Sequence, residues 1–147
     1  MKRYLQWAMF AAAALALVLI PCAAPAGEEL PFKVQYTATP TGESEGPYLI
    51  HTGTGAGTYL GHFSVTAAAH LYRNGRVTGW VTFTSSIGDS LDVVMDQTWD
   101  AATTSYKGSY TIVGGTGRFE NASGSGTIAT SLTDYPIPVS LEGHIIF

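Results

Sequence analysis

Asp92, Asp96 and Asp100 recur at every fourth residue, and carboxylates in a row are the side chains best suited to general acid or base work. In an extended strand that spacing puts all three on one face. Facing outward they would only keep the surface soluble. Facing inward, beside Trp80, Tyr59 or Tyr110, one of them would have a shifted pKa and could move a proton. A slip of one residue exchanges the two cases. Leu91, Val93, Met95 and Trp99 alternate with the acids and have the stronger claim on the interior, so the exterior is the expected place for the carboxylates.

The histidines His51, His62, His70 and His144 form no short-range ligand pair. His62 and His70 share a strand face but are eight residues apart, roughly 26 Å at the strand rise, too far for one ion. No metal and no cofactor is expected, and solvated strand histidines are the ordinary reading. No Gly-x-Ser-x-Gly elbow is present, and the Ser, His and Asp residues are too scattered to nominate a triad. Asn121-Ala122-Ser123 matches a glycosylation sequon and is read as a chance match.

Aromatic residues make up 12% of the chain. Tyr36, Phe63, Phe83, Trp99 and Tyr110, with Met95, fall on the predicted inward face. Such a set packs an ordinary core, and it also lines a pocket for a flat or hydrocarbon-like molecule that tyrosine hydroxyls can orient. These six are the predicted lumen residues.

The elements that must position them are all strands. No window after residue 30 keeps helical spacing, while β-branched and aromatic residues recur with period two between Gly, Pro, Asn and Asp clusters. Phe32, Val34 and Tyr36 alternate with Lys33, Gln35 and Thr37 in a first strand expected to end at Pro40-Thr41-Gly42, before a polar loop at Glu43–Pro47. A second strand is predicted over Tyr48–Gly57. In the third, Phe63, Val65, Ala67, Ala69 and Leu71 oppose His62, Ser64, Thr66, Ala68 and His70. Arg73-Asn74-Gly75-Arg76 carries an Asn-Gly pair suited to positive φ at both central positions, and so to a tight hairpin. The fourth strand faces Val77, Gly79, Val81 and Phe83 one way and Trp80 the other. Gly88-Asp89 turns into the fifth strand. Tyr106–Val113 forms the sixth, Ser125–Leu132 the seventh after a glycine-rich connection, and Val139–Phe147 the eighth.

Eight short strands suit a sandwich or a barrel. The apolar last strand would be an aggregation-prone edge unless it paired with the first, which favours closure. Gly53, Gly55, Gly79, Gly108, Gly126 and Gly143 recur on the inward face, where absent side chains let coiled strands approach or leave lumen. The predicted fold is therefore all-β, an eight-stranded antiparallel barrel.

The 147 residues include 7 Lys+Arg, 11 Asp+Glu and a single cysteine. Met1–Ala26 reads as a secretory leader: Lys2 and Arg3, the apolar run Ala8–Ile20, and the small-x-small site Ala24-Pro25-Ala26. The mature domain is then 27–147, one domain without cysteine, secreted or periplasmic. Its basic residues are Lys33, Arg73, Arg76, Lys107 and Arg118 against eleven acids, a net charge of −6, which excludes a nucleic-acid surface. The rival reading is a lipoprotein acylated at Cys22, with Leu19 three residues ahead but Pro21 where a small residue belongs. The 13-residue apolar run is short of the roughly 20 needed to span a membrane.

Gly53-Thr54-Gly55-Ala56-Gly57-Thr58-Tyr59-Leu60-Gly61-His62-Phe63 and the later Gly114-Gly115-Thr116-Gly117-Arg118-Phe119-Glu120-Asn121 resemble the segments of bacterial exported proteins with an allene oxide cyclase-like barrel. The chain is more distantly similar to plant dirigent proteins, which share Gly-Gly-Thr-Gly-Arg-Phe. The resemblance covers most of Pro31–Phe147 and implies a barrel with a central cavity. It fixes no activity, because in plants this barrel hosts both a cyclase and proteins that steer phenolic radical coupling. On its own physics, Gly114, Gly115 and Gly117 permit a sharp rim turn, Phe119 folds back as a plug, and Arg118 pairs with an acid or loop carbonyls. A phosphate-binding reading fails, since neither a helix nor a P-loop lysine follows.

Three functions fit. The first is an exported barrel binding a small apolar molecule in its lumen. The second is a cyclase or isomerase that confines a reactive substrate. The third is a filled barrel acting as an interaction module, alone or as an oligomer.

Overall fold

Alternation gives each segment one face that water rejects, and eight such segments zip in chain order into a closed antiparallel barrel. The computed structural model describes residues 27–147; the expected leader and Cys22 lie outside the described residues. The strands are β1 (Leu30–Glu45), β2 (Tyr48–Gly57), β3 (Gly61–Leu71), β4 (Arg76–Ser85), β5 (Ser90–Asp100), β6 (Ser105–Gly115), β7 (Ser123–Ser131) and β8 (Ile137–Ile146). No described helix is long and apolar enough to cross a membrane.

Closure comes from β1, which pairs with β2 along one edge and with β8 along the other, Leu30 opposite Ile145 and Ala38 opposite Ile137. The apolar last strand is therefore covered. Following Cα partners once around from Pro40, through His51, Ala67, Val81, Val93, Ile112, Gly124 and Ile145, returns to Leu30. That ten-residue stagger is the offset that tilted strands need to close. It also sets which inward residues share a level.

The inward faces of β3, β4, β5, β6 and β8 are those the alternation predicts. Phe32, Phe63, Val65, Val81, Phe83, Leu91, Val93, Tyr110 and Leu141 are all buried in one core. Fully burying each large apolar side chain stabilises the fold by roughly 1.5–3 kcal/mol relative to leaving it in water. Of the inward glycines, Gly53 and Gly79 show the purpose plainly: a Cβ there would overlap the carbonyl oxygens of Thr37 and Ala68 on the neighbouring strands. Close approach of the strands, rather than vacant lumen, is what these two glycines provide.

Several boundaries differ from expectation. β6 runs Ser105–Gly115, and β8 begins at Ile137 rather than Val139, with Pro138 inside the strand opposite Thr37. β1 does not stop at Pro40 but continues through a register shift to Glu45. Beyond Ala38 its far edge has no β8 partner, so the proline's missing N–H costs no ladder bond. The Asn74-Gly75 hairpin forms, yet only Gly75 has positive φ, at 84°. Gly75 N–H donates to the Tyr72 carbonyl, and the Asn74 side chain accepts from Arg76 N–H at 3.1 Å, so the connection is a three-residue loop with a glycine bulge rather than a tight two-residue turn. The glycine-rich connection contains one 3-10 turn, Gly117–Phe119, and β7 starts two residues earlier than expected.

Candidate functional site

The two ends of the barrel are built differently. At one end the β6–β7 connection folds onto the β4–β5 turn. Thr116 Oγ1 accepts from Ser90 N–H at 3.0 Å, Thr116 N–H donates to the Ser90 carbonyl at 2.9 Å, and Arg118 pairs with Asp89 at 3.4 Å. Gly117 has φ of 58°, and a Cβ there would strike the Asp89 carboxylate. This clamp drives Phe119 fully into the core beside Phe147, ring centroids 5.9 Å apart. That end is shut.

The other end opens into a cavity of about 160 Å³. Its walls are mostly apolar: Ala38, Ala67, Ala69, Val77, Met95, Ile137 and Val139, with Leu49, Leu71 and Leu132 around the opening. Leu49 and Leu71 remain about half exposed at the rim, 51% and 52%. Polar groups enter from separate strands: Tyr36 on β1, His51 on β2, Gln97 on β5, Tyr106 on β6 and Thr130 on β7.

Gln97 is buried, with its amide held on both sides. Oε1 accepts from Thr130 Oγ1 at 3.1 Å, and Nε2 donates to Met95 Sδ at 3.5 Å. Those bonds leave one amide hydrogen and one carbonyl lone pair to meet another molecule. His51 lies 3.2 Å by Nδ1 from the Leu49 carbonyl. A carbonyl only accepts, so in the neutral ring the hydrogen sits on Nδ1 and Nε2 is an acceptor. Burial pushes the Tyr36 hydroxyl well above the ordinary tyrosine range, which keeps it a neutral donor. No Asp or Glu lines the cavity.

The six predicted lumen residues separate by depth. Tyr36 and Met95 line the cavity. Phe63 and Phe83 pack edge to face at 4.9 Å beneath it, and Tyr36 meets Phe83 at 5.5 Å. Tyr110 is also in the floor, against Phe32 at 6.2 Å, with its hydroxyl buried and unpartnered. Burial, with the Glu142 charge adding, pushes its pKa up to about 12. Trp99 stands above the cavity at the mouth, 40% exposed and 5.0 Å from Tyr106.

The acidic row lies on the outer wall. Asp92 accepts from Thr82 Oγ1 at 2.8 Å, Asp96 pairs with Arg76 at 2.7 Å, and Asp100 with Lys107 at 3.2 Å. The Arg76 hydrogen bond holds Asp96 below the usual carboxylate range, and hydrogen bonds from Thr103 and Lys107 do the same for Asp100. His62, His70 and His144 also face outward, and among the described residues no three ligating side chains converge.

His51, expected as a solvated strand histidine, lines the cavity instead, and residue type alone does not single out Gln97 and Thr130, although a signal for the inward face is present. Gly53 and Gly55 were placed inward on β2, and the same alternation carried back two residues reaches His51. Gln97 sits between Met95 and Trp99 on the face already assigned to the interior. Compared with known proteins, the chain matches no family model, no curated protein and no solved structure.

Proposed function

We propose that this chain is an exported barrel, of the allene oxide cyclase-like type that its glycine motifs resemble, and that it holds a small apolar or aromatic molecule at its open end. The supporting observation is the cavity itself: apolar, closed below by packed aromatics, open at one mouth, and supplied with His51, Gln97 and Thr130 from three strands. A volume near 160 Å³ matches about one aromatic ring, since a dry apolar cavity of roughly 150 Å³ is known to accept benzene. Apolar walls supply affinity, and the few polar groups fix orientation.

Ligand-observed NMR with toluene and phenol tests the reading. Saturable binding of either probe, abolished by Ala69→Phe, is the expected result. Absence of binding by both, or binding that survives a phenyl ring placed in the cavity, overturns it.

A cyclase or isomerase reading has one observation in its favour, the His51 imidazole at the cavity wall, where an acceptor nitrogen can take a proton. With no carboxylate in the cavity, that reading depends on His51, and turnover unchanged in His51→Gln removes it.

A further inference from the structure

The cavity does not end at its rim. A second, open groove of about 470 Å³ continues outward from it, and the two share Leu71, Tyr106 and Leu132 as common walls. Trp99 and Tyr72 form the aromatic sides of the groove, and Arg73 is its charged residue. Arg73 belongs to the β3–β4 turn and is exposed. The two neighbouring cations are engaged, Arg76 with Asp96 and Lys107 with Asp100. Among the described residues Arg73 has no carboxylate within 4.0 Å. No acidic side chain lines either compartment.

Resting on the reading of the cavity as a binding site, we infer that the ligand is a small amphipathic anion. Its ring or short branched tail fills the closed compartment, and its carboxylate or similar acidic head lies in the outer groove against Arg73. The chemistry of the two compartments requires this order. An anion in the inner cavity would lose its water without meeting a lysine or an arginine, a cost of several kcal/mol. At the mouth the same head stays partly hydrated and meets a guanidinium whose planar donors fit a carboxylate. The Trp99–Tyr106 pair, with ring centroids 5.0 Å apart and planes inclined at 60°, offers an aromatic corner to the part of the molecule that crosses the rim. The inner volume also limits the tail: one ring fits, whereas a long unbranched chain does not.

The test compares 3-phenylpropionate with 3-phenylpropanamide, which share a ring and differ in charge. Isothermal titration calorimetry on the purified chain, run at low and at high salt, gives both affinities. At low salt the acid is expected to bind about fivefold more tightly than the amide, as suits one exposed ion contact. Salt is expected to erase the difference by screening. Arg73→Gln, in an exposed turn away from the core, is expected to bring the acid down to the amide while leaving amide affinity unchanged. Equal binding of acid and amide in the natural chain, or a preference that survives Arg73→Gln, overturns the anion while leaving the cavity reading standing. Failure of both probes to bind overturns the two together.

Discussion

The barrel's shut end and its open end are made of the same eight strands, and they differ in what covers them. At the shut end a glycine-rich connection bends inward, is clamped by Thr116 to Ser90 and by Arg118 to Asp89, and delivers Phe119 and Ala122 into the core. At the open end the hairpins leave Leu49, Leu71 and Leu132 standing around a hole. Packing density is therefore unequal along the axis: stability is concentrated below, and space for another molecule is kept above. A protein selected only for stability would fill both ends, because each lost apolar contact costs free energy.

The largest expected effect tests that division directly. Phe119→Ala removes a fully buried ring from the shut end and is expected to cost about 3–5 kcal/mol. Leu71→Ala removes a half-exposed side chain at the mouth and is expected to cost about 1 kcal/mol or less. Urea unfolding of both variants measures the ratio. Similar costs would show that the ends are energetically equivalent and would break the comparison.

Addition of bulk sharpens it. Ala122→Phe forces a ring into the filled end and is expected to cost about 1–3 kcal/mol or more through strain. Ala69→Phe places the same ring in the open cavity, where the expected change in stability is under about 1 kcal/mol, because new contacts replace the void. The expected loss in that second variant is binding, read by ligand-observed NMR. A folded Ala122→Phe as stable as the natural chain would mean that the plug is loose.

Alkaline pH separates the two layers next. Tyr36 at the cavity wall and Tyr110 in the floor both have hydroxyls raised above their ordinary value of 10.0 by burial. A group raised on folding contributes stability that is complete below its unfolded pKa and is lost as pH climbs from there toward the folded one. Stability is therefore expected to be flat up to about pH 10 and to fall above it, by on the order of 1 kcal/mol per tyrosine at about pH 11. For Tyr110 the loss ends near its folded value, about 12. Urea midpoints across this range, compared with those of Tyr36→Phe and Tyr110→Phe, check the slope. An unchanged slope in both variants would assign the alkaline loss to other groups.

How far the sequence went follows from what alternation can encode. Period two tells which side of a strand faces inward, so the first part of β3, with Phe63, Val65 and Ala67 buried opposite exposed His62, Ser64 and Thr66, is legible residue by residue. Toward the mouth, by contrast, Ala68 is buried on the outer face and Leu71 is half exposed at the rim. It does not encode height along the barrel axis. Phe83, Met95 and Trp99 share an inward orientation yet lie in the floor, the cavity and the mouth. Phe83 stands opposite Leu91, which puts Met95 four residues and Trp99 eight residues nearer the open end, and that cross-strand register is not written in the alternation. Residue type misled in the opposite way. His51 and Gln97 look like surface residues, but Gln97 is held along its own strand by Met95 and from β7 by Thr130, and no local pattern announces that second partner. Pro40 looks like a stop in the sequence because the missing neighbour beyond Ala38 is a property of the sheet rather than of the proline.

The smallest expected effect concerns Tyr110. Its hydroxyl is buried without a partner, and the slot it occupies exists because position 143 is glycine: a Cβ there would lie 2.7 Å from the tyrosine oxygen. A buried hydroxyl lacking a hydrogen bond has given up its water for nothing, which costs roughly 1–3 kcal/mol. Deleting it in Tyr110→Phe removes that cost but leaves a void of one oxygen, and dispersion contacts beside Gly143 are lost. The two terms oppose each other, so stability is expected to rise by about 1 kcal/mol or less, with ligand affinity unchanged because the floor keeps its shape. A destabilisation of about 2 kcal/mol or more, measured by urea unfolding, would mean that the hydroxyl is hydrogen-bonded in solution, and that the floor of the barrel is wetter than its packing indicates.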